Sequence, residues 1–116
     1  MARQRRIEFA DAVYHGMARG NRRENMDFSD ADRDDFGRLL GELVERTGWK
    51  IFAWVLMSHH YHLDFKTPQP NLVEGMRWLQ NTWTKRINPR HGLWGHLFSG
   101  RYKSPVVDGD ANFQDR

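Results

Sequence analysis

The stretch KIFAWVLMSHHYHLDFK, residues 50–66, decides what kind of fold the chain builds. Its first half, Lys50 to Met57, is nearly all apolar, the pattern of a strand covered on both faces or central in a sheet. Ser58 and His59 interrupt it, and two polar residues between two strand-like runs is hairpin spacing. The second half alternates. Tyr61, Leu63 and Phe65 fall on one face, toward a core, while His60, His62, Asp64 and Lys66 fall on the other. Three of the chain's six histidines therefore lie within four positions, and two share the polar face of one strand.

Working outward, the same rules assign the flanking elements. Ala12 to Ala18 forms a strand that ends at the turn residues of RGNRREN. Ser29 is an N-cap, followed by acids in the first turn and by Phe36, Leu39, Leu40, Leu43 and Val44 at helical spacing, with Gly48 as the stop. Downstream, Asn71 with Glu74 reads as a capping box, and Leu72, Met76, Leu79, Trp83 and Ile87 line one face of a long helix. Asn88-Pro89 is expected to end it. Leu93–Phe98 and Tyr102–Val107 read as two short strands around Ser99-Gly100, with Pro105 favouring an edge position. The resulting fold class is α+β: a single domain over residues 1–116, a ferredoxin-like sandwich with helices packed on one face of an antiparallel sheet.

Charge is segregated along the chain. Residues 1–23 carry six arginines against Glu8 and Asp11, residues 24–47 eight acids against three arginines, and residues 67–107 six bases against Glu74. This pattern fits one acidic, solvated helix face and a separate basic surface, or charges that merely keep the domain in solution. Basic residues alternate with aromatics in NTWTKRINPRHGLWGHLFSGRYK, which suits a groove that tracks phosphates and stacks bases. Trp54 and Trp83 lie on apolar patterns and belong in the core; Trp78 and Trp94 either stack on bases or are partly buried. With no cysteine, metal binding would rest on histidine and carboxylate. No apolar run is long enough to span a membrane and MARQRRIEF lacks the features of a secretory signal, so a cytoplasmic location is expected.

Two histidines at i and i+2 on one strand face can share a divalent ion and leave positions open for a substrate oxygen; surface pairs without metal have the same spacing. The wider pattern narrows the choice. EFADAVYHGMARGNRRE, WVLMSHHYHLDF, GMRWLQNTWTKRINPRHG and GHLFSGRYKSPVVD occur in order, and together they resemble the single-tyrosine HUH transposases, in particular the REP-associated tyrosine transposases, over roughly residues 3 to 113. The resemblance implies that His60-Tyr61-His62 is the histidine–hydrophobic–histidine motif that binds Mg²⁺ or Mn²⁺. It also implies action on single-stranded DNA beside short hairpins, through a tyrosine that becomes joined to the 5′ end. On that reading Arg19, Arg22, Arg23, Arg77, Lys85, Arg86, Arg101 and Lys103 are the candidate DNA contacts. Relatives are either monomers or dimers that share active-site parts, so a homodimer is open.

The chain departs from the family pattern in three places. Ser58-His59 replaces the usual Pro-Asn, and His59 is read as turn or surface chemistry. Asp64 replaces an aliphatic residue; it either pairs with Lys66 or a nearby arginine, or supplies a third metal ligand. Finally, the resemblance implies a helix after RYKSPVVD that carries the nucleophilic tyrosine and a further metal ligand. DGDANFQDR opens such a helix, yet the only tyrosines among the 116 residues are Tyr14, Tyr61 and Tyr102. Tyr14 is expected in the core, Tyr61 points away from the histidines, and Tyr102 is a weak substitute. The expectation is therefore a transposase domain that lacks its catalytic helix and binds DNA without completing the covalent step, unless Tyr102 or Tyr14 substitutes or a second chain supplies the helix. The alternatives are a non-catalytic module binding repeat or hairpin sequences and a protein-interaction domain of the same fold.

Overall fold

The computed structural model describes residues 8–19, 28–58 and 60–92, together with the backbone of 106–108. In chain order these form β1 (Ala12–Arg19), α1 (Asp30–Thr47), β2 (Lys50–Leu56), β3 (His60–Thr67), α2 (Leu72–Arg90) and β4 (Val106–Asp108). The strands lie in the order β2-β3-β1-β4, each pair antiparallel. The architecture is α+β, as expected, with β4 at an edge. The expected strand over 93–98 lies outside the described residues.

Both central strands obey a period of two. On β3, Tyr61, Leu63, Phe65 and Thr67 are buried and the residues between them are half-open; on β1, Ala12, Tyr14, Gly16 and Ala18 are buried. The buried set faces the helices. Trp49 stacks on Phe65 at 4.4 Å between ring centroids, Phe65 stacks on Tyr14 at 5.5 Å, and Phe36 of α1 meets Tyr61 at 5.6 Å and Trp83 of α2 edge-on at 4.9 Å. Gly75 is what lets α2 come so close: a Cβ there would lie 2.2 Å from Cζ2 of Trp49.

The helix termini follow different rules. Ser29 caps α1 through a reciprocal pair, its Oγ accepting from the Asp32 N–H at 3.1 Å and its own N–H donating to Asp32 Oδ2 at 3.0 Å; Gly48 closes the helix in the left-handed region. At α2 the expected Asn71–Glu74 box does not form. The Asn71 side chain instead accepts from Trp49 Nε1 at 2.7 Å and donates to the Thr47 carbonyl at 3.0 Å, pinning the indole in place. Glu8 supplies the cap from the other end of the chain, its Oε1 accepting from the Val73 N–H at 2.7 Å. Pro89 also does not stop α2; it sits in the last turn, and Arg90 follows it within the helix.

Two further expectations are corrected. β2 is an edge strand rather than a covered or central one, and Phe52 (59% exposed), Val55 (48%) and Met57 (43%) lie open. The pairing register with β3 shifts between Ile51 and Ala53, around Phe52. Trp54 leans on Phe36 yet stays more than a third exposed, so it closes the margin of the core. The acidic face of α1 is not wholly solvated either. Asp32, 1% exposed, and Asp35 are buried against α2. There Arg90 reaches Asp32 at 2.8 Å and Asp35 at 2.9 Å, Arg86 reaches Asp35 at 3.0 Å and Glu42 at 2.8 Å, and His91 meets Asp32 at 2.8 Å.

Candidate functional site

The half of each strand that does not face the helices makes the opposite side of the sheet. There β3 presents His60, His62, Asp64 and Lys66, and β1 presents Val13, His15, Met17 and Arg19. Cross-strand register then sets the neighbours. His60 lies opposite Arg19, His62 between Met17 on one side and Val55 of β2 on the other, and Asp64 opposite His15. Among the described residues no helix covers this side, and a hollow of about 170 Å³ lined by Ala53, Val55, His62 and Asp64 opens beside the row.

Within the row the imidazoles are close. The His60 and His62 rings are 4.8 Å apart and nearly perpendicular, and the His62 and His15 rings are 5.3 Å apart. His62 Nδ1 is 3.3 Å from His15 Nε2, while His15 Nδ1 makes a short contact with Asp64 Oδ1. Asp64 is thus held by His15, not by Lys66, whose ammonium contacts Asp11 at 3.9 Å. Directly opposed residues on paired strands approach more closely than i,i+2 neighbours on one strand, which explains the choice of partner. His15 was not legible as a site residue, because it belongs to the row only through the pairing of β1 with β3, some fifty residues away.

Imidazole nitrogens are suitable ligands for a borderline divalent ion, and a facing pair offers half of a tetrahedral or a third of an octahedral shell. Among the described residues no group of three His, Cys, Asp or Glu side chains surrounds a common point. His60 and His62 alone would make at most part of a shell, with nitrogen donors that suit Mn²⁺ better than the oxygen-seeking Mg²⁺.

The basic residues divide. Arg19 is exposed beside His60. Arg77 and Lys85 are on the outer side of α2, since Leu72, Met76, Leu79, Trp83 and Ile87 turn the other way into the core. They line a groove of about 620 Å³ with Arg46, Asn81 and Trp78, and the Arg46 guanidinium covers the Trp78 ring at 4.8 Å, so that indole is not bare for stacking. Arg86 is the inner clasp between the helices: the hydrogen bond to Glu42, with the charges of Glu42 and Asp35, outweighs burial and raises its already high pKa. Arg22, Arg23, Arg101 and Lys103 lie outside the described residues, as do His59 and Trp94.

A family profile described as "Transposase IS200 like" matches residues 8–114, nearly the whole chain. The chain belongs to the IS200-like transposase family. Its fold matches a REP-associated tyrosine transposase solved bound to a REP hairpin (TM-score 0.76, 12% identity, 99% of this chain and 67% of that one). It also matches a protein described as a transposase from Deinococcus radiodurans R1 (TM-score 0.68, 17% identity, 98% of this chain and 92% of that one). No curated protein matches the chain. Family membership gives the tyrosines a meaning. Tyr14 is buried and its hydroxyl accepts from the Phe9 N–H at 3.2 Å, and Tyr61 is buried with Gln80 Nε2 at 3.4 Å from its hydroxyl. Both lie on the buried face of the sheet, away from the histidine row. Tyr102 lies outside the described residues, and of the stretch read as the opening of a catalytic helix, 108–116, only the backbone of Asp108 is described, where it ends β4. Among the described residues, no helix of this IS200-like transposase is long and apolar enough to cross a membrane.

Proposed function

We propose that this IS200-like transposase domain holds a divalent ion on His60 and His62 and lays single-stranded DNA, flanked by a hairpin, across the open side of its sheet. The observation that carries the reading is the pairing of the two close imidazoles with exposed Arg19 on one face that no helix covers among the described residues. The ion would polarise a phosphate oxygen and offset charge developing on it. The chain's own residues set up that encounter. Arg19 binds the backbone beside His60, Met17 and Val55 flank His62 with apolar surface, and the buried face beneath keeps the row rigid. The hairpin bound by the structurally similar REP-associated transposase supports a hairpin-flanked strand as the ligand.

Strand cleavage by a tyrosine is a separate matter. Tyr14 and Tyr61 are enclosed, which leaves Tyr102 as the remaining tyrosine of the 116 residues. Of the tyrosines in residues 1–116, Tyr102 is therefore the remaining candidate nucleophile, with a second copy as another source; a binding-only role on repeat or hairpin sequences is the same face used without the chemistry. The test is incubation with Mn²⁺ and a hairpin-flanked single strand, read by affinity and by a denaturing gel. Affinity that falls steeply with salt and needs His60 and His62 supports the site, since phosphate contacts release counterions. A protein–DNA adduct would overturn the binding-only role, and binding insensitive to both salt and the histidines would overturn the site.

A further inference from the structure

The row does not end at His60 and His62. We propose that His15, anchored by Asp64, is a positioning residue that fixes His62 in the tautomer able to bind metal. The inference rests on the metal reading for its purpose but on hydrogen-bond chemistry for its content. An ionised carboxylate only accepts, so Asp64 takes the proton-bearing Nδ1 of His15. A neutral imidazole has one donor and one acceptor nitrogen, so His15 Nε2 is then bare. It faces His62 Nδ1 at 3.3 Å, and two bare nitrogens do not hold each other. With His15 neutral, His62 Nδ1 carries the hydrogen and donates it, and His62 Nε2 is left without one. The chain carboxylate–imidazole–imidazole thereby exposes a lone pair at the far end, the arrangement by which outer partners orient metal-binding histidines.

Three geometric facts support a built relay rather than a chance contact. His15 and Asp64 are directly opposed in the β1–β3 register, so the anchor is fixed by the central strand pair. The His15 and His62 rings are tilted only 32° from parallel, compared with 85° between His60 and His62. Met17 and Val55 flank His62 across the two strand pairs, and neither side chain carries a nitrogen or oxygen that could replace His15 as partner for Nδ1.

The test uses the full 116-residue chain labelled with ¹⁵N-histidine, without metal, at a pH well above the ordinary imidazole value of about 6.5. Long-range proton–nitrogen spectra report which ring nitrogen of His62 is protonated. Wild type is expected to show hydrogen on Nδ1 and a bare Nε2. His15→Ala should shift the hydrogen toward Nε2 and weaken Mn²⁺ binding about 10- to 100-fold. His15→Gln, whose amide can both donate to Asp64 and accept from His62, should restore the Nδ1–H form and most of the affinity. A wild-type His62 protonated on Nε2, or a tautomer unmoved by His15→Ala, overturns the assignment. Wild-type protein that shows the Nδ1–H form and shifts as expected in His15→Ala, yet binds no Mn²⁺, upholds the positioning role and overturns the metal reading instead. His15 is on the open face, so its replacement leaves the core intact, and circular dichroism checks that it does.

Discussion

Along β3, every step of one residue crosses from one physical regime to another. Tyr61, Leu63 and Phe65 are fully buried against two helices, while His60, His62 and Asp64, interleaved with them, stay within reach of solvent. The inner side is made of rings stacked on rings; the outer side is made of polar groups that hold one another. The difference separates stability from chemistry. Apolar burial is worth about 25 cal/mol per Å² and carries the fold, whereas the outer row contributes little to stability and is free to be chosen for what it binds.

The largest way to break this division is on the inner side. Phe65→Ala removes a ring packed between Trp49 and Tyr14 and should cost about 3–5 kcal/mol in urea unfolding. Gly75→Ala acts with the same sign through overpacking against Trp49, at about 1–3 kcal/mol.

The next test sits at the helix–helix seam. Burial would raise the pKa of Asp32, but hydrogen bonds from Arg90, Ser29 and His91 outweigh it and bring it from 3.8 to about 2. A carboxyl depressed in the folded state stabilises above its unfolded value and loses that contribution as pH falls through the folded one. About 2 kcal/mol should therefore be present at neutral pH and vanish between about pH 4 and pH 2. Acid titration of the unfolding free energy checks it, and Asp32→Asn should flatten that window.

On the outer side the expectation reverses. His62→Ala should change stability by less than about 0.5 kcal/mol while lowering Mn²⁺ affinity at least tenfold, measured by calorimetry. A change in stability as large as that of Phe65→Ala would show that the outer row is structural after all. The smallest effect concerns DNA. Arg19→Ala should reduce the salt-dependence slope of single-strand affinity by about 0.7, one phosphate contact, whereas replacing Arg77 and Lys85 together should leave it unchanged. A fall with the latter pair would mean that the nucleic acid reaches round the helical layer.

What could be read from residue order alone was whatever depends on neighbours in sequence. The alternation at Tyr61–Phe65, the Ser29 cap and the Gly48 stop are local, and all three formed as expected. What could not be read depends on distant partners. Asn71 could have capped α2, but Trp49 offered it an indole N–H, and Glu8 took its place. The apolar run of β2 does not say whether one or two strands will flank it, so its edge position was hidden. Pro89 reads as a stop, although the last turn of a helix can continue past a missing N–H when Arg90 and His91 are pulled toward Asp32. For the proposed site, the shared face of His60 and His62 was legible from strand alternation, whereas the approach of His15 and the partner of Asp64 depended on which strand lies next to β3.

The strand order also dictates a schedule of assembly. β1 is made first, yet its neighbours are the third and fourth strands, so it has nothing to pair with while α1 and β2 are being synthesised. The β2–β3 hairpin closes locally, and only then can the earliest segment slide in beside it, a long-range step of the kind that slows folding. The polar row is completed in that same event, because His15 arrives with β1. A chain caught before this docking would hold its two neighbouring histidines without the third, folded in part but not yet equipped.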